Sequence, residues 1–175
     1  MKTINYQDSV LTVSSLYPTT ALDIRKGLFY RLDASGSPVR RLLSDDDGFI
    51  VVYLADAKKT KRRPLRLAWE IINDKVLPQD HEVYAKNLNN SDYSGFNLQL
   101  IHKNEFKQLK DAIKNLEGAL KLKPTENKPH GVTLMYILDG KKQKVYFEDI
   151  VTAKKEKNKI LVYCTKLVSK YTITE

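Results

Sequence analysis

The chain has 175 residues, enough for one well-filled core or for two small modules. Apolar residues make up 42% of it, which excludes a wholly disordered protein, and no apolar run approaches the ~18 residues that span a bilayer. Thirty Lys and Arg against 21 Asp and Glu give a formal charge of +9 and a pI near 9.4, a balance suited to nucleic acid or to an acidic protein surface.

The opening MKTINYQDSV lacks the basic-then-apolar layout of a signal peptide, so the cytosol is the expected location. Cys164 is the single cysteine, which excludes an internal disulfide, and with three histidines it makes no zinc-ligand spacing. It falls on an apolar helical stripe and reads as a small core residue.

Taken in chain order, Val10 to Leu16 is an apolar run that stops at Tyr17-Pro18, as a short helix or strand would. Gly27 to Arg41 reads as a hairpin, with Leu28 and Tyr30 leading into Asp33, Ser35 and Gly36 and the chain returning through Val39. A second hairpin follows the turn Asp45-Asp46-Asp47-Gly48. Its buried strand is Phe49 to Leu54, and Ala57 to Arg63 is expected as a basic loop tip. Pro64 suits the first turn of a helix carrying Leu65, Leu67, Ala68, Trp69, Ile71 and Ile72, with Trp69 in the core.

Val83 to Ala85 is a short strand, Asn87 to Ser94 a polar loop, and Asn97 to Ile101 a second apolar segment. A helix is expected from about Asn104 to Leu120, with Phe106, Leu109, Ile113, Leu116 and Leu120 at three- and four-residue steps. Residues 121–131 contain two prolines and a glycine and read as a linker between domains 1–120 and 132–175. Beyond it, Val132 to Leu138 and Lys144 to Phe147 flank the hairpin turn Asp139-Gly140. The last helix runs from Glu148-Asp149 to about Tyr171, with Ile160, Cys164, Leu167, Val168 and Tyr171 as its apolar stripe. The expected class is α+β.

Asp47-Gly48-Phe49, then Leu65-Arg66-Leu67-Ala68-Trp69, then Asn87, Asp92 and Asn97-Leu98 occur in order within residues 28–106. In that order and spacing they resemble the HNH homing-type endonucleases of phage genomes. The tail resembles the C-terminal extension of such proteins in T7-like marine phages, and also a small AP2-like unit in which a short sheet packs on one helix. The resemblance implies a ββα-metal-like core preceded by β-hairpins, followed by a C-terminal β-hairpin and long helix. It also implies a phage-encoded protein acting in the cytoplasm of the bacterial host.

In that family a histidine is the general base that activates water, and the acid before it helps hold a divalent metal. A central Asn orients the histidine, and a final Asn or His completes the metal site. Carried over by position, the acid falls on Tyr84, the base on Ala85, the central Asn on Asn97 twelve residues later, and the final ligand on Phe106. Only the Asn survives. Alanine accepts no proton, and phenylalanine or neutral tyrosine is no useful ligand. The resemblance therefore implies a degenerate scaffold that does not cut DNA and takes no metal or other cofactor.

Asp80-His81 is a DH pair near the expected place, but His81 precedes Asn97 by sixteen residues rather than twelve. His102 reads as a cap or flank of the next helix, and His130 as a linker residue. Asn97 and Asp92 are expected to serve the scaffold by bonding nearby backbone.

Three basic groups remain: Lys58, Lys59, Lys61, Arg62 and Arg63; Lys141, Lys142 and Lys144; and Lys154, Lys155, Lys157 and Lys159. Each alone suits a solvated charged face. Together they favour binding of double-stranded DNA without cleavage, and with little sequence preference because no base-reading helix stands out. The competing reading is a phage interaction protein that inhibits or redirects a host enzyme, such as RNA polymerase or a nuclease, through an acidic surface on that partner. The sequence leaves the oligomeric state open.

Overall fold

Five short strands at the start of the chain, β1 (Lys2–Tyr6), β2 (Ser9–Val13), β3 (Thr20–Asp23), β4 (Leu28–Leu32) and β5 (Pro38–Leu42), pair antiparallel with their chain neighbours into one sheet. The computed structural model describes residues 1–125 and 130–172. Its architecture is mixed α+β, and the chain divides into two units, Met1–Ile101 and His102–Glu175.

In the first unit the run at Val10 is a strand, and a turn from Ser14 to Tyr17 ends the apolar stretch. The β4–β5 hairpin lies where Gly27 to Arg41 places it. Its turn is held by the Asp33 carboxylate, which accepts the Ser35 and Ser37 amides at 2.9 Å each. Strands β6 (Ile50–Tyr53) and β7 (Lys59–Arg62) form a separate two-stranded sheet. The expected basic loop tip is thus mostly strand, and the tip itself is Leu54 to Lys58, closed by the Lys58 carbonyl accepting from Leu54 N at 2.9 Å. A strand needs only every second residue to face the interior, so Thr60 and Arg62 turn inward beside Val52 and Ile50 while Lys59 and Lys61 face outward.

Helix α1 (Pro64–Asn73) starts on its proline and ends at Asp74 in the left-handed conformation. Its buried positions include Leu67, Ala68 and Ile71, which join Tyr17, Leu22, Phe29, Ile50 and Val52 in the main core. Trp69 is only half-buried, contrary to the expectation. It lies two residues from both Leu67 and Ile71, which at about 100° per residue puts it on the far side of the helix.

The buried charge is Glu70, which has no exposed surface. The Tyr17 hydroxyl donates to it, Arg66 Nε and Leu77 N donate at 2.9 and 3.0 Å, and Arg62 Nε sits 3.4 Å away. Every carboxylate oxygen is therefore satisfied, the condition under which a buried charge is tolerated. Burial, then the neighbouring Glu70, pushes the Tyr17 phenol up to about 12.

Strands β8 (His81–Ala85) and β9 (Leu98–His102) make a second two-stranded sheet, with α1 packed on β8. The loop between them crosses the turn after β3, where Gly95 N donates to Ile24 O at 3.0 Å. A Cβ on Gly95 would stand 2.5 Å from the Ile24 side chain, so only glycine permits that crossing.

In the second unit, helix α2 (Lys103–Lys114) continues into a wider turn, Asn115–Ala119, whose helical path is broken at Gly118 with φ of 118°. Strands β10 (Lys121–Pro124), β11 (Val132–Leu138) and β12 (Lys141–Phe147) form an antiparallel sheet in chain order, and helix α3 (Ile150–Tyr171) follows. The Asp149 carboxylate caps α3 by accepting from Thr152 N at 2.8 Å.

This corrects the expected domain scheme. The boundary falls at Ile101/His102 rather than at 120, and residues 121–124 of the expected linker are an edge strand paired with β11. One half-buried apolar residue, Leu122 between two lysines, suffices for an edge strand, and Pro124 is tolerated at its end. Residues 126–129 of that linker lie outside the described residues.

The core of the second unit includes Leu109, Ala112, Leu134, Ala153 and Cys164, so the cysteine is a core residue as expected. Two polar side chains one turn apart, Asp111 on α2 and Asn115 at its C-terminal end, hold the end of the β11–β12 hairpin. Asn115 bonds both backbone groups of Ile137, at 2.8 and 2.9 Å, beyond the point where β10 stops pairing, and Asp111 accepts from Gly140 N at 2.8 Å. Both are almost fully buried, and their partners are backbone groups that would otherwise go unpaired.

Candidate nucleic-acid interface

The positions matched to nuclease chemistry are packed as scaffold. Tyr84 and Ala85 are buried in β8, and the Tyr84 hydroxyl donates to Gln99 Oε1 on β9 at 3.0 Å. Asn97 is 4% exposed, and its side chain is consumed by the loop before it: Oδ1 accepts from Asn87 N at 2.9 Å and Nδ2 donates to Asp92 O at 3.0 Å. Asp92 in turn accepts from Ser94 N and from Asn87 Nδ2, at 3.1 and 2.8 Å. Hydrogen bonds from Ser94, then Asn87, hold its carboxyl below the usual range.

Phe106 lies on α2 in the second unit, with the Lys110 ammonium 4.6 Å from its ring centre. His81 opens β8 with Nδ1 2.7 Å from the Asp80 carboxylate. His102 is the cap of α2, its Nδ1 accepting from Asn104 N at 3.3 Å, and His130 is exposed. Among the described residues, no group of three or more His, Cys, Asp or Glu side chains is placed to hold a metal ion.

The first basic group does not act as one cluster. Arg62 points inward to Tyr17 and Glu70, Lys61 pairs with Asp45 at 2.8 Å, and Lys58 pairs with Asp56 at 3.0 Å. Arg63 lies over the Phe49 ring at 5.2 Å. Lys59 is exposed on the outer side of β7, opposite Tyr53. On α3, Lys154 and Lys155 are exposed, Lys157 is half-buried and Lys159 pairs with Glu156 at 2.6 Å.

The second group gains members that sequence reading placed in a linker. The register sets Lys121 opposite Met135 and Lys123 opposite Thr133, then Met135 opposite Lys144, Ile137 opposite Lys142 and Thr133 opposite Tyr146. Since alternate residues share a face, Lys121, Lys123, Lys142, Lys144 and Tyr146 stand with Thr133, Met135 and Ile137 on one face, and all five are exposed. Val132, Leu134 and Phe147 form the opposite face, where Leu134 is 1% exposed. Lys141 belongs to that opposite set by the same alternation.

The outer face is therefore two rows of lysine on the edge strands, flanking a neutral row on β11. Strands lie about 4.8 Å apart, so the rows are about 10 Å apart. The signal in sequence was the alternation Lys121-Leu122-Lys123, masked by the prolines that follow. Comparison with protein-family models, with curated proteins and with solved structures gave no match to this chain.

Proposed function

We propose that this protein binds double-stranded DNA through the outer face of the β10–β11–β12 sheet and does not cleave it. The observation that carries the reading is the placement of Lys121, Lys123, Lys142 and Lys144 in two rows on one exposed face. A row spacing of about 10 Å is close to the about 12 Å width of the major groove, so each row can meet the phosphates on one wall. The central row, Thr133, Met135 and Ile137, offers little for bidentate reading of bases, and the Thr133 hydroxyl is already bonded to Thr125 at 2.9 Å. Affinity then comes from phosphates and sequence preference is weak.

The packed state of Tyr84, Ala85 and Asn97 supports the absence of cleavage, in a scaffold we read as a degenerate relative of the HNH endonucleases. Titrating a labelled random duplex across a salt series tests the binding. Affinity that falls steeply with salt supports it, and no binding at low salt sinks it.

A protein partner is the second reading, favoured by the consecutive exposed residues Leu161, Val162 and Tyr163 on α3. Capture of a host protein that survives nuclease treatment and is lost on Tyr163→Glu supports that reading instead.

A further inference from the structure

The first unit contains a second concentration of positive charge, and it is concave. The β4–β5 register sets Arg31 directly opposite Arg40 on one face of the pair, while Arg41 stands opposite Tyr30 on the other. Like charges directly across a strand pair oppose folding, so this pairing weakens the hairpin that carries it. Lys59 reaches the same place from β7, where it stands opposite Tyr53. Arg31, Arg40 and Lys59 line an open cleft of about 520 Å³, together with Tyr53 and Phe49. The Arg31 guanidinium lies over the Tyr53 ring, 4.4 Å from its centre, which limits the orientations it can take.

Charge compensation within the cleft is small. Asp45 is the carboxylate in its lining, and Asp45 is already engaged by Lys61 at 2.8 Å and by Phe49 N at 2.8 Å. Among the described residues, no carboxylate comes within ion-pair distance of Arg31, Arg40, Arg41 or Lys59. Arginine forks suit phosphate oxygens, and three cations offset most of the roughly four negative charges of a nucleoside triphosphate. The volume lies within the range of small-molecule sites, roughly 300–1,000 Å³.

We infer that this cleft binds the polyphosphate group of a nucleotide. The site lies wholly within the first unit, and it stands whether or not the sheet of the second unit binds DNA.

The test is calorimetric titration of the full chain, free of magnesium, with a nucleoside triphosphate and separately with inorganic tripolyphosphate. Both are expected to bind saturably, one per chain, and to compete. Arg40→Gln and Lys59→Gln, at exposed positions, are each expected to weaken binding about tenfold, while Lys142→Gln changes it less than about twofold. Arg40→Gln should also leave the Tm equal or higher, because it removes a like-charge pair.

No saturable binding at about 10 mM ligand overturns the inference. So does equal weakening by Lys142→Gln, which would mark general attraction to a basic protein. Saturable binding of duplex DNA with none of tripolyphosphate also overturns it, and so does a fall in Tm on Arg40→Gln, which would make that arginine structural.

Discussion

Replacing Lys142 and Lys144 with glutamine removes one complete lysine row from the outer face of the second sheet while leaving the strand exposed and paired. If the four lysines each neutralise one phosphate, the slope of log affinity against log salt is about −3.6. Between 50 and 200 mM salt, affinity should then fall about 150-fold. Each lysine removed takes about 0.9 from the slope, and near 0.1 M salt it costs about eightfold in affinity. The double variant should thus show a slope near −1.8 and bind about 60-fold more weakly at 0.1 M. Fluorescence anisotropy of a labelled random duplex at several KCl concentrations reads both quantities. The control is Lys141→Gln, one residue away in sequence but assigned to the other face. Its affinity should stay within about twofold of the parent protein. A Lys141→Gln effect equal to that of Lys142→Gln, or a slope unchanged in the double variant, would refute the face assignment.

Asn97→Ala should cost about 2–3 kcal/mol in urea unfolding, because it leaves the Asn87 amide and the Asp92 carbonyl without their partner in a buried loop. A loss under about 0.5 kcal/mol would mean the loop does not need it. Tyr17 has a folded pKa raised to about 12, so its contribution is complete below the unfolded value near 10 and is lost as the pH rises from 10 to 12. Stability measured at pH 9 and at pH 11.5 should drop more steeply in the parent than in Tyr17→Phe, by up to about 2 kcal/mol; identical pH dependence would count against the buried Tyr17–Glu70 contact. Supercoiled plasmid incubated with Mg²⁺, Mn²⁺ or Ni²⁺ should stay intact, and nicking that disappears on His81→Ala would contradict the proposed absence of cleavage.

Much of this fold is local enough to read along the chain. The hairpin at Gly27 to Arg41, the start of α1 on Pro64 and the full length of α3 with Cys164 inside its stripe all follow from turn chemistry and periodicity. The reading went astray where the local signal was ambiguous. Lys59 to Arg62 and Lys121 to Pro124 have few apolar residues, so charge and proline outweighed their alternation, yet both are strands. Trp69 shares a helical face with Leu65, Ala68 and Ile72, which predicts a core position, whereas the helix turns it away from Leu67 and Ile71 and leaves it half-buried.

Basic charge and the identities of Tyr84, Ala85 and Phe106 are properties of the sequence itself. Which cations share a surface is not. Lys61 and Arg62 are neighbours in the chain, yet they face opposite sides of a strand and meet different carboxylates, Asp45 and Glu70. Lys121 and Lys144 lie far apart in sequence and flank the same residue, Met135, because strand pairing joins distant segments at a spacing of about 4.8 Å. Alternation along one strand decides which residues can share a face, and only the long-range register decides which of them do.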